Sequence, residues 1–156
     1  MKNTMKIERK AEADNEARTY LTFTIGEEIY GLDIGFVTQI INILEITKIP
    51  GQPDYVKGVI NLRGQIVPVM EVRRKFNRMA IEYDDRTCII VLCVEEMIIG
   101  LIVDSVAEVV YIEEHLISGI PEFGCNKQKN YLDGLYKDDG KVVALLNCAE
   151  LIRHED

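Results

Sequence analysis

The 156-residue sequence has no tryptophan, two serines (Ser105 and Ser118) and two histidines (His115 and His154). Neither serine lies in a Gly-x-Ser-x-Gly elbow or has an obvious histidine base, so serine-hydrolase chemistry finds no support. The four cysteines, Cys88, Cys93, Cys125 and Cys148, form no C-x-x-C pair, and with so few histidines the usual zinc spacings are missing. Reduced, mostly buried thiols are the expected state. Positive charge is also short. Eighteen Lys and Arg against 26 Asp and Glu give a net charge of −8 with no basic stripe, which argues against nucleic-acid binding and against anionic membrane surfaces. The strongest apolar stretch, Cys88 to Val103, is interrupted by Glu95 and Glu96, which a bilayer span would not tolerate cheaply. Residues 1–18 are polar and carry no apolar segment with a cleavage signature, so a polar tail on a cytosolic protein is expected.

What is present is a β-rich pattern. From Thr19 onward, period-two alternation and short β-branched runs are punctuated by Gly, Asp and Asn. Tyr20 to Ile25 reads as a strand, Gly26-Glu27-Glu28 as its turn and Ile29 to Leu32 as the return, with further strands at Ile66 to Val72 and Cys88 to Val94. Helical spacing is local: Ile34, Val37, Ile40 and Ile41 would line one face of a short helix, and Leu145 to Ile152 suggests another at the C-terminal end. Each is about two turns long, so packing must hold it in place.

An internal repeat organises the chain. Glu27-Glu28 and Gly31-Leu32-x-Ile34-x-x-Val37-x-x-Ile40 are echoed by Glu95-Glu96 and Gly100-Leu101-x-Val103-x-x-Val106-x-x-Val109, the glycines lying 69 residues apart. Gly58 with Gly64-x-Ile66-Val67 then matches Gly134 with Gly140-x-Val142-Val143 at an offset of 76. The second half thus has about seven extra residues, expected in an irregular stretch between Glu113 and Asn130. Each copy reads as a hairpin, a short crossing and a second hairpin. The expectation is one domain, residues 19–154, made of two pseudo-repeats, about 19–83 and 86–153, each forming a small antiparallel barrel beside the other.

Catalytic constellations are weak. Gly26-x-x-x-x-Gly31 continues as Leu32-Asp33, without the Lys and Ser or Thr of a phosphate loop. His115, next to Glu113-Glu114, could serve as an acid–base or phosphoacceptor group, but a solvated loop is preferred. The carboxylate pairs Glu27-Glu28, Asp84-Asp85, Glu95-Glu96 and Asp138-Asp139 fall at turns, where exposed acids are the default. The sequence Asn61-Leu62-Arg63-Gly64-Gln65-Ile66-Val67-Pro68 remains. Its Asn and Gly suit a turn, whereas Arg63 is open to two readings, an ordinary loop residue or an interface anchor.

Tyr20-x-x-Phe23-x-x-Gly26-x-x-x-Tyr30-Gly31-Leu32-Asp33-Ile34 followed by Gly58-Val59-Ile60-Asn61-Leu62-Arg63-Gly64 resembles the CheW family of bacterial chemotaxis coupling proteins. The resemblance continues through Ile66-Val67-Pro68-Val69, Arg73-x-Lys75-Phe76 and Gly100-Leu101-Ile102-Val103-Asp104-x-Val106, and covers nearly all of Thr19 to Ile152. It implies a mainly β fold of two five-stranded SH3-like barrels and a non-catalytic adaptor without cofactor or metal. Such an adaptor joins the cytoplasmic tips of methyl-accepting receptors to the regulatory domain of the histidine kinase CheA in membrane-associated arrays. It would offer an apolar groove to the receptor and barrel-end contacts to the kinase. An adaptor of the same fold in another receptor–kinase system is the alternative. Carried over by motif, the partner-binding candidates are Val37, Gln39, Gly58, Arg63, Val106 and Val109, although Val37, Gly58 and Val106 also have a plain core reading. Relatives commonly have a glutamate where this chain has Gln39. The resemblance places that position near the turn arginine, so Gln39 could hydrogen-bond Arg63 without neutralising it.

Overall fold

Alternating apolar residues become ten strands in the computed structural model, which describes residues 17–121 and 131–153. In chain order they are β1 (Ala17–Ile25), β2 (Glu28–Asp33), β3 (Val37–Asn42), β4 (Val56–Leu62), β5 (Gln65–Glu71), β6 (Cys88–Val94), β7 (Met97–Val103), β8 (Ser105–Glu113), β9 (Leu132–Asp138) and β10 (Lys141–Leu146). Two four-residue helices, α1 (Val72–Lys75) and α2 (Cys148–Leu151), follow β5 and β10.

The strands form two five-stranded sheets, in the orders β8-β1-β2-β10-β9 and β3-β6-β7-β5-β4. The second is continuous in sequence and is called the central sheet. The first, the terminal sheet, joins β1 and β2 to β8, β9 and β10. Neither half of the repeat therefore makes a sheet by itself, which corrects the expectation of one barrel per copy. Each half contributes its first hairpin to one sheet and its remaining strands to the other. The exchange is closed by two parallel pairings, Leu145 of β10 opposite Gly31 of β2 and Val69 of β5 opposite Gly100 of β7.

Period two explains the layers. On β6, Ile90, Leu92 and Val94 face a core shared by both sheets, whereas Ile89 and Val91 face a separate cluster with Ile60, Val67, Val69 and Ile102. The shared core also takes Leu21, Phe23 and Ile25 of β1, Tyr30 and Leu32 of β2, and Leu101 and Val103 of β7. The terminal sheet has its own smaller cluster of Tyr20, Ile112, Val143 and Leu145. Each such side chain contributes about 1.5–3 kcal/mol by leaving water.

Several local expectations change. Of the helical-spaced set, only Ile34 lies in a helical turn, the 3-10 segment Ile34–Phe36, capped by Asp33, whose carboxylate accepts from the Gly35 N–H at 2.9 Å. Val37, Thr38, Ile40 and Ile41 are β-branched and join β3, where antiparallel pairing with β6 overrides the helical period. Leu145 and Leu146 finish β10, so the C-terminal helix shrinks to α2, with Asn147 capping it through the Glu150 N–H at 3.0 Å. Glu28 belongs to β2 opposite Ile25, Val72 opens α1 rather than ending a strand, and β1 begins at Ala17, inside the expected tail. After β8 a 3-10 turn, Glu114–Leu116, leads to Ser118, which bridges Leu135. The rest of the tail, residues 122–130 with Cys125, and His154 lie outside the described residues.

Candidate partner interface

The six candidate residues fall in four places. Val37 and Gln39 lie on β3, at one edge of the central sheet, opposite Leu92 and Val91 across a bulge at Thr38. Val106 and Val109 lie on β8, the edge strand of the terminal sheet, opposite Phe23 and Leu21. This strand is also bulged, opposite Thr22 of β1, whose hydroxyl donates to the Glu108 carbonyl and accepts from its N–H. Val37, Val106 and Val109 are half-buried and pack on the shared core, so their apolar character has a structural cause.

Gly58 is buried in β4 at φ 154°, where a Cβ would lie 2.2 Å from the Thr47 carbonyl oxygen. The reason is the Thr47–Val59 bridge, which lays a neighbouring segment along this edge strand. Its role is to admit that segment.

Arg63 is different. It occupies the tip of the β4–β5 hairpin, a two-residue turn in which Arg63 (φ 54°) and Gly64 (φ 87°) both have positive φ. That is the type I′ pattern, which matches strand twist and favours Asn-Gly or Asp-Gly. Asn61 braces it by accepting from the Gly64 N–H at 2.8 Å. The guanidinium is exposed and makes no hydrogen bond or ion pair among the described residues, and none joins it to Gln39. Three residues on, Ile66 is 62% exposed. A cation and an apolar side chain are thus both exposed on one hairpin, the composition of an interface anchor.

A second set, given no role by the sequence reading, ties the sheets together. Asp104, where the chain passes from β7 to β8, accepts from Arg73 Nε at 3.0 Å and Nη2 at 2.6 Å, and from the Gly26 N–H at 2.7 Å. Burial opposes ionisation of Asp104, but Arg73 and the Gly26 amide outweigh it and hold its carboxyl below the usual carboxylate range. Arg78 forms an ion pair with Glu28, which also accepts from the Tyr30 hydroxyl at 2.7 Å. Lys75 is buried, donates to the Arg153 carbonyl at 2.9 Å and lies 4.0 Å from the Tyr55 ring centroid. The sequence signal available was the repeat itself, since Arg73 and Lys75 align with Ala149 and Leu151 at the offset of 76.

The remaining chemistry is quiet. Burial pushes the Cys88 and Cys148 thiols up to about 11 and about 12, which disfavours the reactive thiolate. His115 Nε2 lies 3.5 Å from Glu113 Oε1, with both side chains exposed. Among the described residues no group of three or more His, Cys, Asp and Glu is placed to hold a metal ion, and no helix is long and apolar enough to cross a membrane.

Comparisons with known proteins agree with one another. The CheW-like domain model matches residues 19–156. A chemotaxis protein CheW from Klebsiella aerogenes is 35% identical over 147 residues, covering 94% of this chain and 89% of the relative. One from Thermotoga maritima is 32% identical and covers 85% of each chain. The crystal structure of scaffolding protein TtCheW from Thermoanaerobacter tengcongensis superposes with a TM-score of 0.80 at 32% identity, covering 88% of this chain and 89% of the other. With its two five-stranded sheets and these relatives, the chain belongs to the CheW family of chemotaxis scaffold proteins.

Proposed function

We propose that this chain is a non-catalytic adaptor that couples methyl-accepting chemotaxis receptors to the histidine kinase CheA, acting in the cytoplasm on receptor arrays and controlling kinase activity. The observation that carries the reading is Arg63: an exposed cation on a strained hairpin tip, with an exposed isoleucine on the same hairpin, in a chain of the CheW family. Nothing in the turn chemistry asks for arginine there. The tip is the direct contact. Val37, Gln39, Val106 and Val109, on edge strands of the two sheets, frame further contact surface, and Gly58 acts by holding the strand that carries the tip. The adaptor offers recognition surfaces and no reacting group. Saturable one-to-one binding to the regulatory domain of the cognate CheA, measured by calorimetry and lost in Arg63→Ala with an unchanged circular dichroism spectrum, is the expected result. A folded wild-type chain that binds neither this domain nor a receptor fragment overturns the proposal.

A further inference from the structure

We infer that Arg73, Lys75 and Arg78 form a three-point clamp that fixes the orientation of the central sheet against the terminal sheet. All three lie on α1 or just after it, which places them on the central sheet's side of the molecule. Each reaches across. Arg73 grips Asp104, to which the Gly26 amide of the β1–β2 turn is also bound. Arg78 pairs with Glu28 at the start of β2, and Lys75 donates to the Arg153 carbonyl just beyond α2 while lying over the rings of Tyr55 and Tyr131.

The topology explains why such a clamp has work to perform. Among the described residues the chain passes between the sheets at two places, through Ile34–Phe36 and through Asp104. Two crossings leave one rotation, about the line that joins them. The shared apolar core resists separation, but hydrophobic attraction is non-directional and tolerates sliding. Charge-assisted hydrogen bonds are directional, most of all a bidentate arginine–carboxylate pair. The Arg73–Asp104 pair is largely shielded from solvent, with side chains 14% and 20% exposed, and it sits at a crossing. Arg73 and Arg78 both meet the terminal sheet around the β1–β2 turn, whereas Lys75 meets it beyond α2, so the attachments fall on two different elements of that sheet and together oppose rotation.

The repeat provides an internal control. α2 occupies the equivalent place after β10, yet the counterparts of Arg73 and Lys75 are Ala149 and Leu151. The helix therefore forms and packs without cations, and those of α1 are not a requirement of the fold. For partner coupling, which rests on the adaptor reading above, the clamp residues are positioning residues. They set the spacing between the Arg63 tip on the central sheet and β8 on the terminal sheet.

The test uses the full chain in a Cys93→Ser/Cys125→Ser background, with nitroxides on Ile66→Cys (β5) and Val142→Cys (β10), two exposed positions on different sheets. Pulsed electron resonance reads the distance distribution. With the clamp intact one narrow distance is expected; Arg73→Gln/Arg78→Gln broadens it at an unchanged circular dichroism spectrum, and Arg73→Lys/Arg78→Lys restores it in part. Glu28→Gln removes only the half-exposed arm and carries the same test if the double variant does not fold. An unchanged distribution in a folded clamp variant overturns the inference. In reconstituted assemblies the Gln pair is expected to lower kinase activation about fivefold or more while binding CheA one-to-one as before. Failure of the wild type to bind would count against the adaptor reading and leave the distance result standing.

Discussion

The two second hairpins of the repeat, β4–β5 and β9–β10, share one backbone and differ in what they present. Both turns have positive φ at two successive residues, 54° and 87° at Arg63 and Gly64, 54° and 86° at Asp139 and Gly140. Both expose a β-branched residue at the same register, Ile66 at 62% and Val142 at 55%. Asp-Gly is a favoured pair for this turn, because a short polar side chain tolerates the left-handed region and glycine enters it freely. Arg63 fills the same site with a long cation that gains nothing from the geometry. The β9–β10 tip is thus explained by local physics, whereas local turn chemistry leaves the arginine of the β4–β5 tip unaccounted for.

This comparison can be broken or sharpened by substitution. The largest effect is expected below the tips. Gly58→Ala drives a methyl group toward the Thr47 carbonyl and should cost about 3 kcal/mol in a denaturant melt. Gly134→Ala meets the Ile117 side chain first and, because a side chain can move, should cost about 1–2 kcal/mol. Equal costs would mean that the two edge strands are packed alike.

Next comes the asymmetry between α1 and α2. Asp104→Asn weakens the Arg73 pair and should cost about 1–3 kcal/mol near neutral pH. The folded Asp104 carboxyl titrates below its unfolded value, so its stabilisation is present above roughly pH 4 and is lost as the pH falls through the lower folded value. Melting temperatures measured from pH 7 to pH 3 should therefore fall less steeply in Asp104→Asn than in the wild type. Parallel curves would remove the pair from the acid response.

At the tips, Arg63→Asn should raise stability by roughly 0.5–1 kcal/mol while weakening kinase-domain binding about tenfold or more. Asp139→Asn should change neither by a measurable amount. A stabilised Arg63→Asn that still binds fully would reduce Arg63 to an ordinary turn residue. The smallest effect is expected for Gln39→Glu, with affinity for receptor or kinase fragments altered and the melt unchanged. Equal affinity for both fragments would place Gln39 outside either interface.

Much of this could be read in the chain. The Gly31/Gly100 and Gly58/Gly134 matches revealed the duplication, and the alternation in Tyr20 to Ile25 and Cys88 to Val94 gave strands close to those observed. Ile34, Val37, Ile40 and Ile41 misled because β-branched residues at helical spacing satisfy two periods at once, and only a partner strand decides between them. Among the site residues, Arg63 stood out because turn chemistry left it unexplained. Arg73 and Asp104 did not, since residues 31 apart in sequence give no local sign of a contact.

Composition, alternation and repeat glycines determined that this protein is a mainly β chain with an internal sequence repeat and a cationic hairpin tip. Those are local properties, fixed by side-chain period and by the φ that each residue tolerates. Only the tertiary structure decided that the halves exchange strands, that Gln39 and Arg63 are not hydrogen-bonded, and that Arg73, Lys75 and Arg78 meet Asp104, the Arg153 carbonyl and Glu28. Pairing between distant strands and bonding between distant charges depend on which surfaces the chain brings together, and the pattern within any one segment does not encode that.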